Sequence, residues 1–410
     1  MKRILSICAI LAVTGLAAPA AADTTITGEK KGAFFTITVP DFWNGDLVIT
    51  NHGFVFGAPK PDPDLGPLAP LWLSEGFAVA ASSYSQCCWA VFNTKQDIER
   101  MVTVFVDNFG TPNRVFVAGA SLGGVVTAQL VEKLGEELNI VGAFPVCGDM
   151  VGSRIWDGAF DLRLIYDVIC GDIAPIPGGA TGLPAPGHPD HPFLSLDTLL
   201  ATDACMGVPF GGGLPGWEAR LAQFTAVATV PPAFVAENMV YATHGVSNLI
   251  FEEGKLDGGQ GLTNIGVDYD DPVVNAFIER VEADKRARTR LQRYFTPKGH
   301  VGDTKIVSLH TDGDGRVPVE AQQPYRDIVP ASNLTIAVVD EADGTHCGFT
   351  EAEAMAGWES LRAWVDGAPQ PSAADIQNTC LVLESLGTEG PCRIDPSYVI
   401  GNLDTRIRPR

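Results

Sequence analysis

The sequence predicts an α/β protein, with a mostly parallel, doubly wound sheet and an inserted, largely helical cap. Apolar runs of strand length alternate with segments whose apolar residues recur at helical spacing, as in parallel sheets covered by helices on both faces. The alternation stops between residues 148 and 302, where helix-like segments and Pro/Gly-rich loops follow one another without a comparable strand pattern. We predict that this interval is a cap over the carboxyl ends of the strands, where such sheets bind ligands. The alternative is a separate domain with its own role.

The individual elements follow from short-range patterns. The predicted strands cover residues 24–26, 33–39, 46–51, 77–83, 115–118, 141–147, 305–310 and 334–339. Thr94 can cap a helix that runs to about residue 108, and further helices are predicted from residue 122 to about 137 and over 351–365. In the cap, helical spacing predicts segments at 161–168, 217–227, 235–249 and 272–295.

The first 22 residues have the pattern of a secretory signal peptide. Lys2 and Arg3 precede an apolar run over residues 4–17, and small residues at 20–22 precede Asp23. The run is too short for a membrane span, and Cys8 lies inside it rather than after it, which disfavours a lipoprotein anchor. The sequence therefore predicts a periplasmic or secreted protein without a stable membrane anchor.

The composition is that of an acidic globular chain. The formal net charge is −21, and removal of residues 1–22 would make it more negative by two, because Lys2 and Arg3 are lost without any acidic residue. So negative a surface disfavours nucleic acid as a partner.

The strongest indication of catalytic chemistry lies directly after the predicted strand at 115–118. Gly119-Ala120-Ser121-Leu122-Gly123 matches G-x-S-x-G between a strand and a helix, a turn so tight that only small residues fit two before and two after the serine. This geometry would raise the Ser121 hydroxyl above the sheet edge, and the N–H of Leu122 could face an oxyanion. The alternative is a glycine-rich turn with an incidental serine.

A serine nucleophile needs a base and an acid that orients the base. His346 lies in a Gly-containing loop directly after the last predicted strand, from which it can reach the elbow. Two aspartates, Asp314 and Asp312, follow the strand at 305–310; we favour Asp314, with Asp312 as its rival.

Two sequence patterns could indicate a metal site, but each is disfavoured. The Asp312-Gly-Asp314-Gly run resembles the start of a calcium loop, but the position that should supply a bidentate glutamate is Gln323. His188, Asp190 and His191 could bind a metal, although so short a cluster in a proline-rich loop is more often solvated. We predict neither a metal nor a cofactor.

The order Ser121, Asp314, His346 on an alternating strand/helix chain resembles the α/β-hydrolase superfamily. The resemblance implies that Ser121 is the nucleophile, Asp314 the acid and His346 the base. Asn51-His52-Gly53-Phe54 is similar to the His-Gly oxyanion loop of the family's lipases and esterases, which implies that the N–H groups of Phe54 and Leu122 bind the oxyanion. The longer HGGG form is absent.

The pattern of strands, helices and cysteines predicts the domain organisation. The hydrolase core would comprise residues 23–147 and 303–367, on either side of the cap at 148–302. Residues 368–410 would form a C-terminal extension of unknown role that a disulfide pins in place.

Eight cysteines follow the predicted signal peptide, and an even number in an exported protein favours disulfides. We expect Cys380 to pair with Cys392 first, and Cys170 with Cys205 second. Secreted tannase and feruloyl-esterase-like hydrolases tie the elbow to the histidine loop by a disulfide, but Ala120 precedes Ser121 here. Cys347 could therefore pair with Cys87, Cys88 or Cys147.

The aromatic residues after the strand at 77–83 are candidates for substrate contact. Tyr84 and Trp89 could line an acyl or aromatic pocket, although packing against the cap is an equal alternative.

The sequence thus favours an exported serine hydrolase of carboxylic esters. A peptidase or amidase is an alternative, because the same triad cleaves amides, and a non-catalytic binding protein of the same fold is a third hypothesis. The partner would be a small or polymeric ester; small acyl esters, lipids, plant phenolic esters and polyesters all remain open.

Overall fold

The computed structural model describes residues 23–183, 195–341 and 344–410. The predicted signal peptide and the His188–Asp190–His191 cluster lie outside the described residues.

Nine strands of the described chain form one sheet in the order β1-β2-β4-β3-β5-β6-β7-β8-β9. They are β1 Thr24–Lys30, β2 Ala33–Val39, β3 Leu47–Asn51, β4 Ala78–Ser82, β5 Val115–Ala120, β6 Ile140–Val146, β7 Lys305–Thr311, β8 Leu334–Val339 and β9 Ile394–Asp395. The pairs from β4 to β8 are parallel, whereas β1, β2 and β9 join antiparallel at the two edges. This confirms the predicted fold class. Sequence patterns missed β9, which is two residues long.

Helices cover both faces of the sheet. They are α1 Ala69–Ser74, α2 Thr94–Phe109, α3 Leu122–Leu134, α4 Ile155–Cys170, α5 Ser195–Met206, α6 Trp217–Ala228, α7 Val235–Val240, α8 Val246–Phe251, α9 Pro272–Phe277, α10 Lys285–Phe295, α11 Gln322–Ile328, α12 Glu351–Val365 and α13 Ala373–Ser385. Successive residues of a strand pack in different hydrophobic clusters on the two faces of the sheet. Val117 packs in the cluster that contains residues of α2 and α3, and Phe116 packs with Trp358 of α12. Among the described residues, no helix combines the length and the apolar character needed to cross a bilayer.

The segment between β6 and β7 contains α4 to α10 and no strand among its described residues. The predicted helix over 272–295 is wrong, because it is two helices, α9 and α10. Residues 278–284 form no helix, and the N–H and C=O of Val281 bond to the 263–264 loop. The Asp284 side chain then caps α10 by accepting the N–H of Ala287.

The helix predicted over 235–249 is broken in the middle by a π-helical turn. Tyr241–Gly245 forms this turn between α7 and α8. Such turns are rare and often occur at functional sites.

The turn between β5 and α3 is packed directly against β3. A Cβ on Gly123 would lie 2.0 Å from the carbonyl oxygen of Asn51, and one on Gly119 would lie 2.4 Å from the carbonyl oxygen of Gly123. Because these neighbours are backbone atoms, a larger residue could fit only if the strand or the helix moved.

We therefore predict that Gly123→Ala lowers the free energy of unfolding by roughly 3 kcal/mol, because the added methyl group has no space. The measurement is urea unfolding at equilibrium. Gly401→Ala is the matched control: its Cβ would meet only the flexible Glu320 side chain, at 3.4 Å. We expect it to change stability by less than about 0.5 kcal/mol. Equal losses in the two variants would contradict the packing argument.

Candidate active site

Ser121 occupies the sharp turn between β5 and α3. Its backbone has φ 58° and ψ −124°, a conformation that residues with a side chain rarely adopt. Its N–H donates to the carbonyl of Val146 at the end of β6 (3.1 Å), which ties the turn to the neighbouring strand. The motif thus has the strained geometry expected of a nucleophile elbow.

His346 and Asp314 complete a hydrogen-bonded chain with Ser121. His346 Nδ1 lies 2.6 Å from Asp314 Oδ2, and His346 Nε2 lies 2.8 Å from Ser121 Oγ. An ionised carboxylate can only accept, so Nδ1 carries the proton and Nε2 accepts from the serine hydroxyl. The structure therefore brings together the three residues that the sequence singled out.

Asp314 rather than Asp312 faces the histidine. The second carboxylate oxygen of Asp314 accepts the N–H groups of Arg316 (2.9 Å) and Val317 (3.0 Å). Burial alone would raise the pKa of Asp314, but the hydrogen bond and charge of His346, with smaller help from its other neighbours, hold that pKa below its usual value. Asp312 instead accepts the N–H of Glu341 (2.9 Å).

A second histidine supports the acid from inside the core. His310 Nε2 donates to the carbonyl of Val317 (2.8 Å), while Nδ1 accepts from the amide of Gln322 (2.9 Å). Burial lowers the pKa of His310 despite the nearby Asp314 carboxylate, so the neutral ring closes the turn that presents Asp314. The sequence patterns did not single out His310; its place four residues before Asp314 was the available signal.

The loop after β3 passes over the serine. A Cβ on Gly53 would lie 3.4 Å from Ser121 Cβ, and the Phe54 side chain lines the cavity in front of Ser121. Leu122 is the first residue of α3. The N–H groups of Phe54 and Leu122 make no hydrogen bond within the described part of the chain. Both are therefore available to a ligand.

Tyr84 does not line the cavity, contrary to our expectation. It is fully buried, its ring stacks on His52 with centroids 4.2 Å apart, and its hydroxyl donates to the carbonyl of His52 (3.2 Å). A backbone φ of 55° turns the side chain inward from the end of β4. Tyr84 thus supports the loop that carries Phe54, whereas Trp89 does line the cavity.

The cysteine pairs are Cys380–Cys392, Cys170–Cys205, Cys147–Cys347 and Cys87–Cys88. The first two are the predicted ones, and Cys147 is the partner of Cys347 among the three that the sequence left open. This disulfide fastens the His346 loop to the residue that follows β6. A disulfide from the elbow itself is impossible here, because Ala120 rather than a cysteine precedes Ser121. Although Cys147, Cys347 and His346 cluster within 4.8 Å, the bonded sulfurs are not thiolates that could bind a metal.

Ser121 lines a cleft of about 120 Å³ between the sheet and the cap. Aromatic rings form much of its wall: Phe54 contacts Tyr241 edge-on with centroids 5.0 Å apart, and Trp89 contacts Trp156 likewise at 5.5 Å. The π-helical turn places Tyr241 in this wall. Further lining residues that the sequence did not single out include Asp149, Ile155, Leu162, Arg316, Arg406 and Ile407.

Asp149 is a buried acid in this cleft. Among the described residues, neither carboxyl oxygen of Asp149 has a partner that meets the distance and angle criteria of a hydrogen bond. The residue is 2% exposed. Burial raises the pKa of Asp149 well above its usual value, and the Val151 amide opposes this only in part. The cleft therefore contains a carboxyl group that binds its proton more strongly than an exposed aspartate does.

The sheet, the elbow and the order of the three residues define an α/β-hydrolase fold. No family model matches the chain. The chain is similar to o-phthalyl amidase of Xanthobacter agilis, with 24% identity over 424 residues, 87% of this chain and 91% of the amidase.

Solved structures also resemble this chain. Feruloyl esterase B from Aspergillus oryzae has a TM-score of 0.38 and 13% identity, over 85% of this chain and 81% of the esterase. The 2-hydroxy-6-oxo-6-phenylhexa-2,4-dienoate hydrolase of a Rhodococcus species has a TM-score of 0.37 and 14% identity, over 89% of this chain and 99% of the hydrolase.

We predict that Asp149→Asn stabilises the protein more at pH 7 than at pH 4. The unfolded aspartate loses its proton near pH 3.9, whereas the folded one keeps it to a higher pH. The stability of the wild type therefore falls as pH rises between the two pKa values, by up to about 1.4 kcal/mol per unit, and asparagine removes this loss. The measurement is the Tm difference between variant and wild type at both pH values.

Asp107→Asn, on the exposed side of α2, is the control and should show no such pH dependence. A Tm difference for Asp149→Asn that is the same at pH 4 and pH 7 would contradict the raised pKa of Asp149.

Proposed function

We propose that this chain is an exported serine hydrolase that cleaves carboxylic esters through an acyl-enzyme. The proposal depends on one observation, the chain of short hydrogen bonds from Asp314 through His346 to Ser121, whose hydroxyl faces the aromatic cleft. A binding protein would need none of these contacts. The four disulfides support export, because such bonds persist in oxidising compartments.

The first half of the reaction forms the acyl-enzyme. His346 Nε2 takes the proton of Ser121 as Oγ attacks the carbonyl carbon, and the N–H groups of Phe54 and Leu122 donate to the oxyanion. The imidazolium, stabilised by Asp314, then protonates the leaving oxygen. General-base assistance contributes about 10²–10⁴-fold, and one oxyanion donor about 10²–10³-fold.

The second half releases the acid. His346 Nε2 removes a proton from water as the water oxygen attacks the acyl carbon. The tetrahedral intermediate then collapses, the bond between the acyl carbon and Oγ breaks, and the imidazolium returns the proton to Oγ, which restores Ser121. Asp314 keeps the ring in the same tautomer throughout, which its lowered pKa favours by keeping the carboxylate ionised.

Amide hydrolysis is the second candidate, favoured by the similarity to o-phthalyl amidase over most of the chain. The same His346 would protonate a leaving amine. Besides Asp149, the charged side chains that line the cleft are Arg316 and Arg406, and each of them pairs with a glutamate. The aromatic walls suit an aromatic or short aliphatic acyl group.

To test the function, we would compare 4-nitrophenyl esters with the 4-nitroanilides of the same acids, from acetyl and benzoyl to long chains. Ser121→Ala should lower kcat/KM for every substrate on the order of 10⁴–10⁶-fold, since the nucleophile is lost. Esters should be cleaved faster, because nitrophenolate leaves without a proton. Cleavage of anilides alone would replace the esterase proposal with the amidase candidate. An inert wild type that is folded and oxidised would overturn both.

The acid assignment has its own test. Asp314→Asn should reduce kcat on the order of 10⁴-fold, because an amide cannot hold the imidazole in the required tautomer or stabilise its charge. Asp312→Asn is the matched control: its side-chain oxygen can still accept the N–H of Glu341, so we expect less than a tenfold change. Steady-state kinetics on one ester would decide, and a larger loss in Asp312→Asn would contradict the assignment.

A further inference from the structure

The end of the chain reaches the cleft. Residues 403–410, which we name the C-terminal strap, begin with a single helical turn, Leu403–Thr405. Leu403 and Ile407 are buried in a small apolar cluster with Val151 and Val317, which lie on the loops after β6 and β7. The strap thus packs on the loop that presents Asp314, and Arg406 and Ile407 line the cleft together with Ser121.

Hydrogen bonds from the cap fix the strap backbone on both sides of the Ile407 side chain. The hydroxyl of Thr229 donates to the carbonyl of Arg406 (2.8 Å), and the Arg154 guanidinium donates to the carbonyl of Ile407 (2.8 Å). Both carbonyls are therefore held in place. The strap cannot move away from the cleft without breaking these bonds.

Two arginines of the strap anchor it further along the cap. Arg408 donates to the carbonyls of Val227 (2.8 Å) and Tyr269 (3.1 Å). Arg410, whose side chain is 2% exposed, forms an ion pair with Asp161 of α4 (2.6 Å). Removing one partner of such a buried pair is costly, so this contact favours one fixed position of the strap.

The Ile407 side chain fits against a gap in α4. A Cβ on Gly158, which also lines the cleft, would lie 3.2 Å from Ile407 Cγ1. Because Gly158 has no side chain, Ile407 fills this position and is 4% exposed. Shortening Ile407 would therefore extend the cleft between α4 and the loop that carries Val317.

We propose that the C-terminal strap is a specificity-determining wall of the substrate cleft, in which Ile407 limits the length of the acyl group that binds beside Ser121. This inference rests on the proposed function. It gives a role to residues that the sequence marked only as an extension. The strap favours esters of short or compact acids as substrates and excludes long acyl chains.

The test compares Ile407→Ala with the wild type on 4-nitrophenyl butyrate and octanoate. We expect the ratio of kcat/KM for octanoate to that for butyrate to rise about tenfold or more, because space for further methylene groups opens. Ile376→Ala is the matched control: Ile376 is also buried, but it lies on α13 and does not line the cleft. For Ile376→Ala, the ratio of kcat/KM for octanoate to that for butyrate should equal the wild-type ratio.

Ile407→Val, which removes a single methyl group, provides a milder variant if the alanine variant does not fold, and its ratio should rise in the same direction. An unchanged ratio in an active, folded Ile407 variant, or an equal rise in Ile376→Ala, would overturn the role of the strap and leave the proposed function intact. A wild type that hydrolyses neither ester would overturn the proposed function, and this inference with it.

Discussion

The close backbone contact between the elbow and β3 is the constraint on which the rest of the site depends. With hydrogen in place of a side chain at Gly123, the first turn of α3 can lie against the carbonyl of Asn51, where a Cβ would come within 2.0 Å. This contact fixes the start of α3 and holds Ser121 in its strained conformation. The serine hydroxyl then stands above the ends of the parallel strands, where the following loops converge.

Asp314 and His346, the other two members of the triad, are held near the serine by separate contacts. A buried network holds the Asp314 turn: His310 bonds to Val317, and Gln322 bonds to His310. A disulfide from Cys147 to Cys347 holds the His346 loop against the strand beside the elbow. These supports come from the end of β7, from α11 and from the residue after β6. The cap adds a hydrogen bond from Asn238 to the carbonyl of Gly315 and, with the C-terminal strap, shapes the cleft.

The sequence predicted those parts of the molecule that depend on local patterns. The parallel strands are short apolar runs, and the elbow is encoded by small residues at fixed spacing, so both were accessible. The Cys380–Cys392 pair could be inferred because its members are close in the chain. The partner of Cys347 could not, since 200 residues separate it from Cys147. Tyr84 was misplaced because a single positive φ turns it inward, which no periodicity indicates. The role of Ile407 arises from contacts with distant segments.

The central claim is that Ser121 becomes covalently bonded to the acyl group with His346 as its base. Its most direct test is labelling of the oxidised protein with a 4-nitrophenyl alkylphosphonate, followed by peptide mass spectrometry. We expect one phosphonyl group per chain, on Ser121, with release of one nitrophenolate, and no labelling of His346→Ala on the same time scale. Labelling of another residue, or none in the folded wild type, would contradict the account.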